Sequence, residues 1–111
     1  MKIVDLTDLP KEGVSHDPQI VKTVMIRDGE FPHLTKFTQL RMSPGQIAHE
    51  HSHADEYEIF LIEAGECLAV VDAKEYNLSA GHCVVFEPLE VHEITSTGSE
   101  DLVMTYFGIR V

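Results

Sequence analysis

The sequence predicts an all-β protein of one domain, and three observations predict it. Short apolar runs alternate with turn residues from Ile20 to the C-terminal end. No window sustains the i, i+3, i+4 apolar spacing of a helix. The chain has 111 residues, enough to bury one core and too few for a second module. Many short strands at this spacing describe a sandwich or a barrel.

The elements follow in order. Residues 1–19 read as an irregular N-terminal arm, punctuated by Pro10, Gly13 and Pro18, with the β-domain proper over 20–111. Residues 5–9 admit one helical turn at most. Residues 20–26 read as a strand closed by Arg27-Asp28-Gly29, and residues 34–42 as a second closed by Ser43-Pro44-Gly45. Residues 58–62 end at Glu63-Ala64-Gly65 and residues 67–71 at Asp72-Ala73-Lys74. Residues 84–86 end at Glu87-Pro88, residues 91–95 end at Ser96-Thr97-Gly98-Ser99, and residues 102–107 form the last strand. There is no internal repeat and no low-complexity segment.

One strand is apolar on both faces. Phe60 and Ile62 share the face of Glu58, while Ile59 and Leu61 take the other. One face fills the core. The other needs cover, from the N-terminal arm or a second subunit.

Composition narrows the function. Nineteen acidic against eight basic residues give a net charge of −11 with neutral histidines. That argues against nucleic acid, whose phosphates need a positive surface, and against anionic membranes. The opening Met1-Lys2-Ile3-Val4-Asp5 carries an acid early and no long apolar run, so no leader or membrane span is read and the expected location is cytoplasmic. Cys67 and Cys83 are too few for a disulfide framework; in apolar runs, both read as buried reduced thiols.

The chemistry concentrates between Gly45 and Gly65. His51 and His53 stand two apart, which on a regular strand points both imidazoles to one side. Two convergent imidazoles are the usual beginning of a divalent-metal site. Glu58 adds a carboxylate and His92 is a fourth candidate. From residue types alone the register stays open. His49 pairs with His51 in the same way, and Glu56 or Tyr57 replaces Glu58 if the loop slips. His16 and His33 read as loop residues, and His82, after Gly81, as an exposed turn residue.

The stretch resembles the first motif of the cupin superfamily: glycine, five residues, His-x-His, three or four residues, glutamate, six residues, glycine. Gly45, His51, His53, Glu58 and Gly65 match it position by position. Residues 81–92 occupy the place of the second cupin motif, with Gly81 and His92 at the family spacing. Inside, the fit is looser: Glu87 stands where the motif has proline, Leu89 where it has glycine, and Ser96 where it has asparagine. These departures bear on the loop before His92. The resemblance covers roughly residues 35–107.

The resemblance implies a jelly-roll barrel, the double-stranded β-helix. It implies one divalent transition metal per chain on His51, His53, Glu58 and His92. Mixed nitrogen and oxygen donors suit Mn, Fe, Co, Ni, Cu or Zn. Four protein ligands leave positions open for water or substrate. The expected function is a metalloenzyme acting on a small molecule by dioxygenase, isomerase or lyase chemistry; the alternative is a metal-dependent binding or sensing module without turnover. His49 and Tyr57 are the candidate catalytic bases. Phe60, Ile62, Val84 and Phe86 are candidate pocket walls. Arg41 anchors an anionic substrate if Phe37, Gln39 and Arg41 point inward. Thr38, Leu40 and Met42 make the better core, which puts Arg41 on the surface. Cupins commonly dimerise, so a homodimer is expected.

Overall fold

The computed structural model describes residues 1–14 and 17–111. The reading of His16 lies outside them. The described strands are β1 (Lys11–Val14), β2 (Asp17–Arg27), β3 (Leu34–Met42), β4 (Ile47–His51), β5 (Glu56–Ala64), β6 (Glu66–Val71), β7 (Lys74–Ser79), β8 (Cys83–Phe86), β9 (His92–Ser96) and β10 (Leu102–Arg110). One 3₁₀ turn, Leu6–Asp8, precedes them, capped by Asp5. No described helix is long and apolar enough to cross a membrane.

The strands make two antiparallel sheets, ordered β1-β2-β3-β10-β5-β8 and β4-β9-β6-β7. Facing each other, they form the jelly roll. Period-two alternation decides what lies between them. Along β5, Glu56, Glu58, Phe60 and Ile62 are buried, while Tyr57, Leu61 and Glu63 are exposed. Ile20, Leu40, Met42, Phe60, Ile62, Leu102 and Met104 of the larger sheet meet Ala48, Cys67 and Ile94 of the smaller. Burying each large side chain in this set contributes about 1.5–3 kcal/mol. Glu56, Glu58 and His92 are buried as well, among the polar residues of the interior.

Strand formation starts earlier than expected. Gly13 and Pro18, which read as breakers, make a close crossing instead: a Cβ on Gly13 would lie 2.7 Å from Pro18 Cα. The bare glycine lets β1 pair with β2. Strand β7 also escaped the sequence reading. It is exposed from Lys74 through Asn77, with Leu78 packed against the core, and six pairs to β6 hold it.

One further expectation needs correction, and two open alternatives are decided. Of the two faces of β3, Leu40 and Met42 take the inward one, so Arg41 does not anchor a substrate in a pocket; it points out to an ion pair with Asp101 at 3.3 Å. Cys67 is buried, and burial pushes its thiol up to about 11, but Cys83 is exposed, because it sits on edge strand β8. The N-terminal arm does not cover the outer face of β5. Strand β2 pairs with β3 on the other side of β10, and Leu61 remains 46% exposed.

Candidate metal centre

His51 reaches the interior through a bulge. Ala48 pairs with Ile94 and His51 with His92, so residues 49 and 50 together oppose Glu93 alone. A regular strand with Ala48 inward would turn Glu50 inward and His51 outward. The extra residue flips the alternation, and Ala48 and His51 both face the core. Glu50 N–H donates to Glu93 Oε2 across the bulge at 3.2 Å. The expected sharing of one face by His49, His51 and His53 therefore does not hold. His49 is 71% exposed, and His53 lies past the end of β4.

The four residues meet nonetheless. One ligand atom from each of His51, His53, Glu58 and His92 lies within 4.8 Å of the others. His53 Nε2 is 3.1 Å and His92 Nε2 3.4 Å from Glu58 Oε1. Two donors bound to one metal at about 2.1 Å each cannot lie more than about 4.2 Å apart, so only small movements separate this cluster from a coordination shell.

Backbone carbonyls set two tautomers. The carbonyl of His49 lies 2.9 Å from His51 Nδ1, and that of Glu90 3.1 Å from His92 Nδ1. A carbonyl only accepts, so each Nδ1 carries a hydrogen and each Nε2 is the nitrogen left to face the cluster. Phe86 stacks on the His92 ring, with centroids 4.0 Å apart and planes within 7°. Burial pushes the His51 imidazole below its ordinary value, which favours the neutral, ligating form.

Glu58 is the charged centre. Burial pushes its carboxyl up, but His92, Lys36 and His53 outweigh that and hold it at about 2. Lys36 Nζ takes Oε2 at 2.7 Å. Burial opposes the Lys36 charge, yet Glu58 and Glu56 together raise it. Oε1 faces the histidines. Among the described residues, Glu58 Oε1 and His92 Nε2 are the buried side-chain polar atoms without a hydrogen-bond partner. They face each other at 3.4 Å without the alignment of a hydrogen bond. Leaving such atoms bare costs about 1–3 kcal/mol each. A cation between them would satisfy both, so the donor set fits a divalent metal.

A cavity of about 440 Å³ adjoins the cluster, lined by Val14, Lys22, Lys36, His49, Glu50 and Tyr106 together with His51, His53 and Glu58. Behind it, a smaller space of about 60 Å³ is walled by Phe60, Leu40 and Ile20. Phe60 thus stands near the cluster, as does Phe86 through its stacking on His92. Ile62 is fully buried in the core, and Val84 lines a separate space of about 330 Å³ between β6, β7 and β8; neither lines the 440 Å³ cavity. Tyr57 is on the outer face of β5, opposite Glu58. His82 is exposed in its turn, against Ser79, and His33 is exposed in its loop.

Lys36, Tyr106 and the burial of Glu56 escaped the sequence reading. Lys36 could have been found, because it lies two residues before Thr38, on the inward face of β3. Tyr106, stacked on Phe60 with centroids 4.4 Å apart, shares the inward face of β10 with Met104 and Leu102.

The larger part of the chain, residues 38–108, matches the cupin domain, and the protein belongs to the cupin family. The oxalate-binding protein of Thermotoga maritima is 32% identical over 66 residues, which is 60% of this chain and 54% of that one. The chain thus spans about half the length of the curated relative it matches. A predicted oxalate decarboxylase from Thermotoga maritima has the same fold, with a TM-score of 0.90 at 22% identity over 99% of this chain and 100% of that one. The polyketide cyclase RemF of Streptomyces resistomycificus gives 0.82 at 18% identity, over 98% of this chain and 79% of its own.

Proposed function

We propose that this chain holds one divalent transition metal on His51, His53, Glu58 and His92 and is an enzyme acting on a small oxygen-rich anion admitted through the 440 Å³ cavity. One observation carries the reading: the bare, buried Glu58 Oε1 and His92 Nε2, 3.4 Å apart with no hydrogen bond between them. The bound metal would supply Lewis acidity toward a carbonyl, carboxylate or enol oxygen, or a site for O₂ if it is redox-active. The chain's own residues do the rest. Lys36 holds Glu58 Oε2, which leaves Oε1 as the ligating oxygen. Lys22 lines the cavity and attracts an anion, while Lys36 there is already paired with Glu56 and Glu58. Glu56 and Glu58 against Lys36 make the site negative without a metal, so an anion is held only once a divalent cation reverses the sign. His49 and Glu50 at the rim are placed to move a proton to or from a bound molecule.

The names of the relatives favour a small carboxylic acid. Because the curated one is called a binding protein, binding without turnover is the second reading. The test uses oxalate as the probe. Elemental analysis of purified protein should give about one transition metal per chain, and calorimetry should detect oxalate only with metal present. No metal after reconstitution would sink the reading. Oxalate that binds without any chemical change, while related acids also survive, would favour the second reading. The outer face of β5 and β8, with Leu61 and Val85 exposed, supports a homodimer. Light scattering that returns 12.5 kDa at micromolar concentration would overturn it.

A further inference from the structure

We propose that Glu56 is the positioning residue of this centre, orienting His53, the candidate ligand that no strand carries. The inference rests on the metal reading above. His51 and His92 each give Nδ1–H to a carbonyl two residues earlier. His53 Nδ1 faces a carboxylate instead, Glu56 Oε1 at 3.4 Å, while its Nε2 points at Glu58.

Glu56 is built into this place. It is 7% exposed, and a buried carboxylate is tolerated only when other groups hold it. Lys36 Nζ donates to Oε1 at 2.9 Å and Thr35 Oγ1 donates to Oε2. A bulge supplies the second donor: Gly108 pairs with Lys36 and Ile109 with Leu34, so Thr35 is the extra residue and lies beside Lys36 on the buried side. Gly108 supplies the room. It pairs with Glu58 as well as Lys36, and a Cβ there would lie 2.5 Å from Glu56 Oε2. Two donors and a missing side chain thus serve one carboxylate, at a position the His-x-His-to-glutamate spacing leaves free. A carboxylate on Nδ1–H fixes the ring and makes Nε2 a stronger donor to a metal, and losing such a partner typically weakens binding about 10- to 100-fold.

The test is cobalt(II) titration of the full chain, read by the visible d–d spectrum, with His53→Ala as the spectral reference. Glu56→Ala should bind about 10- to 100-fold more weakly, with a spectrum shifted toward that of His53→Ala. Glu56→Gln, nearly the same shape and still offering Nδ1–H an acceptor, should recover most of the affinity and the wild-type spectrum. The His53 Nδ1–H proton of zinc-loaded protein should be visible by NMR in wild type and Glu56→Gln and lost in Glu56→Ala. A Glu56→Ala protein with wild-type affinity, or with weaker affinity and an unchanged spectrum, overturns the inference and leaves the metal reading standing. A wild-type chain that binds no cobalt or zinc overturns both.

Discussion

The two glycine-to-histidine loops that meet at the centre reach their shapes by different means. The first, from Gly45 to Gly65, carries three of the four candidate ligands and uses glycine where φ is positive, at +88° and +84°. The second carries His92 alone and puts Leu89 where the family has glycine. Leu89 nonetheless adopts φ 72°, the left-handed conformation that suits glycine. Hydrogen bonds hold it there. Leu89 N–H donates to the His53 carbonyl at 2.7 Å, Glu90 N–H to Glu87 at 3.2 Å, and Glu87 N–H to Glu90 Oε1 at 2.6 Å. Asp72 and Val91 bond twice, at 2.9 and 3.0 Å. The site needs a backbone conformation, and a motif residue is one of several ways to obtain it.

If both loops serve one metal, the loop with one ligand matters as much as the loop with three. His92→Ala and His51→Ala should each weaken metal binding about 10²- to 10³-fold, since four ligands share about 10–16 kcal/mol. His49→Ala, outside the cluster, should weaken it about 10-fold at most. Metal titration ranks the three. A severe loss at His49 with His51 spared would mean that the bulge in β4 is misplaced and the register shifted.

The glycines of the first loop are not equivalent. A Cβ at Gly65 would lie 2.6 Å from the Asp101 carbonyl and 2.8 Å from Leu102 Cα, all backbone. At Gly45 it would meet nothing within 4 Å. Gly65→Ala should therefore cost about 3 kcal/mol or more, from overlap added to left-handed strain, and Gly45→Ala only about 1–2 kcal/mol from strain. Denaturant unfolding measures both. Equal costs would mean that the chain beside Gly65 yields easily.

Acid should strike the metal-free protein through both loops. Burial lowers His51, so the unfolded chain binds its proton first; that contribution is complete above about pH 6.5 and is lost as pH falls below it. Glu58 is lowered to about 2, so its contribution is complete above the ordinary glutamate value of 4.5 and is lost as pH falls from there through 2. Both slopes have one sign, and thermal midpoints should fall steadily from pH 7 to pH 3. A midpoint independent of pH would remove the charged role given to Glu58.

The sequence made the sandwich and the ligand cluster legible for separate reasons. Strand β3 was found to the residue because its apolar face alternates and Ser43-Pro44-Gly45 stops it. Strand β7 was missed because its stability comes from pairing with β6, which no local pattern records. The four clustered residues could be named from the resemblance to the cupin motifs, yet the strand geometry offered for His51 and His53 was not what brings them together. That work falls to a two-residue bulge at His49 and Glu50 and to the chain beyond β4. Lys36 carried no local signal, and Glu56 could be named only as a substitute for Glu58, because the Lys36–Glu56 contact spans 20 residues and only the sheet brings the two to one place.

The smallest effect is the most direct test of the two-loop contrast. A non-glycine residue in the left-handed region costs about 1–2 kcal/mol. Leu89 is 68% exposed, so its side chain returns little of that by burial. Leu89→Gly removes the strain and keeps the N–H that reaches the His53 carbonyl. It also loosens the unfolded chain, which takes back about 0.5–1 kcal/mol. The balance should stabilise the protein by about 0.5 kcal/mol, a rise of roughly 2–4 °C in the melting midpoint, with metal affinity unchanged. Leu89→Val, β-branched and poorly suited to positive φ, should move stability the other way and by more. If Leu89→Gly instead lowers both the midpoint and the affinity, the leucine side chain holds the loop through contacts of its own, and the second loop depends on its residue as firmly as the first depends on Gly65.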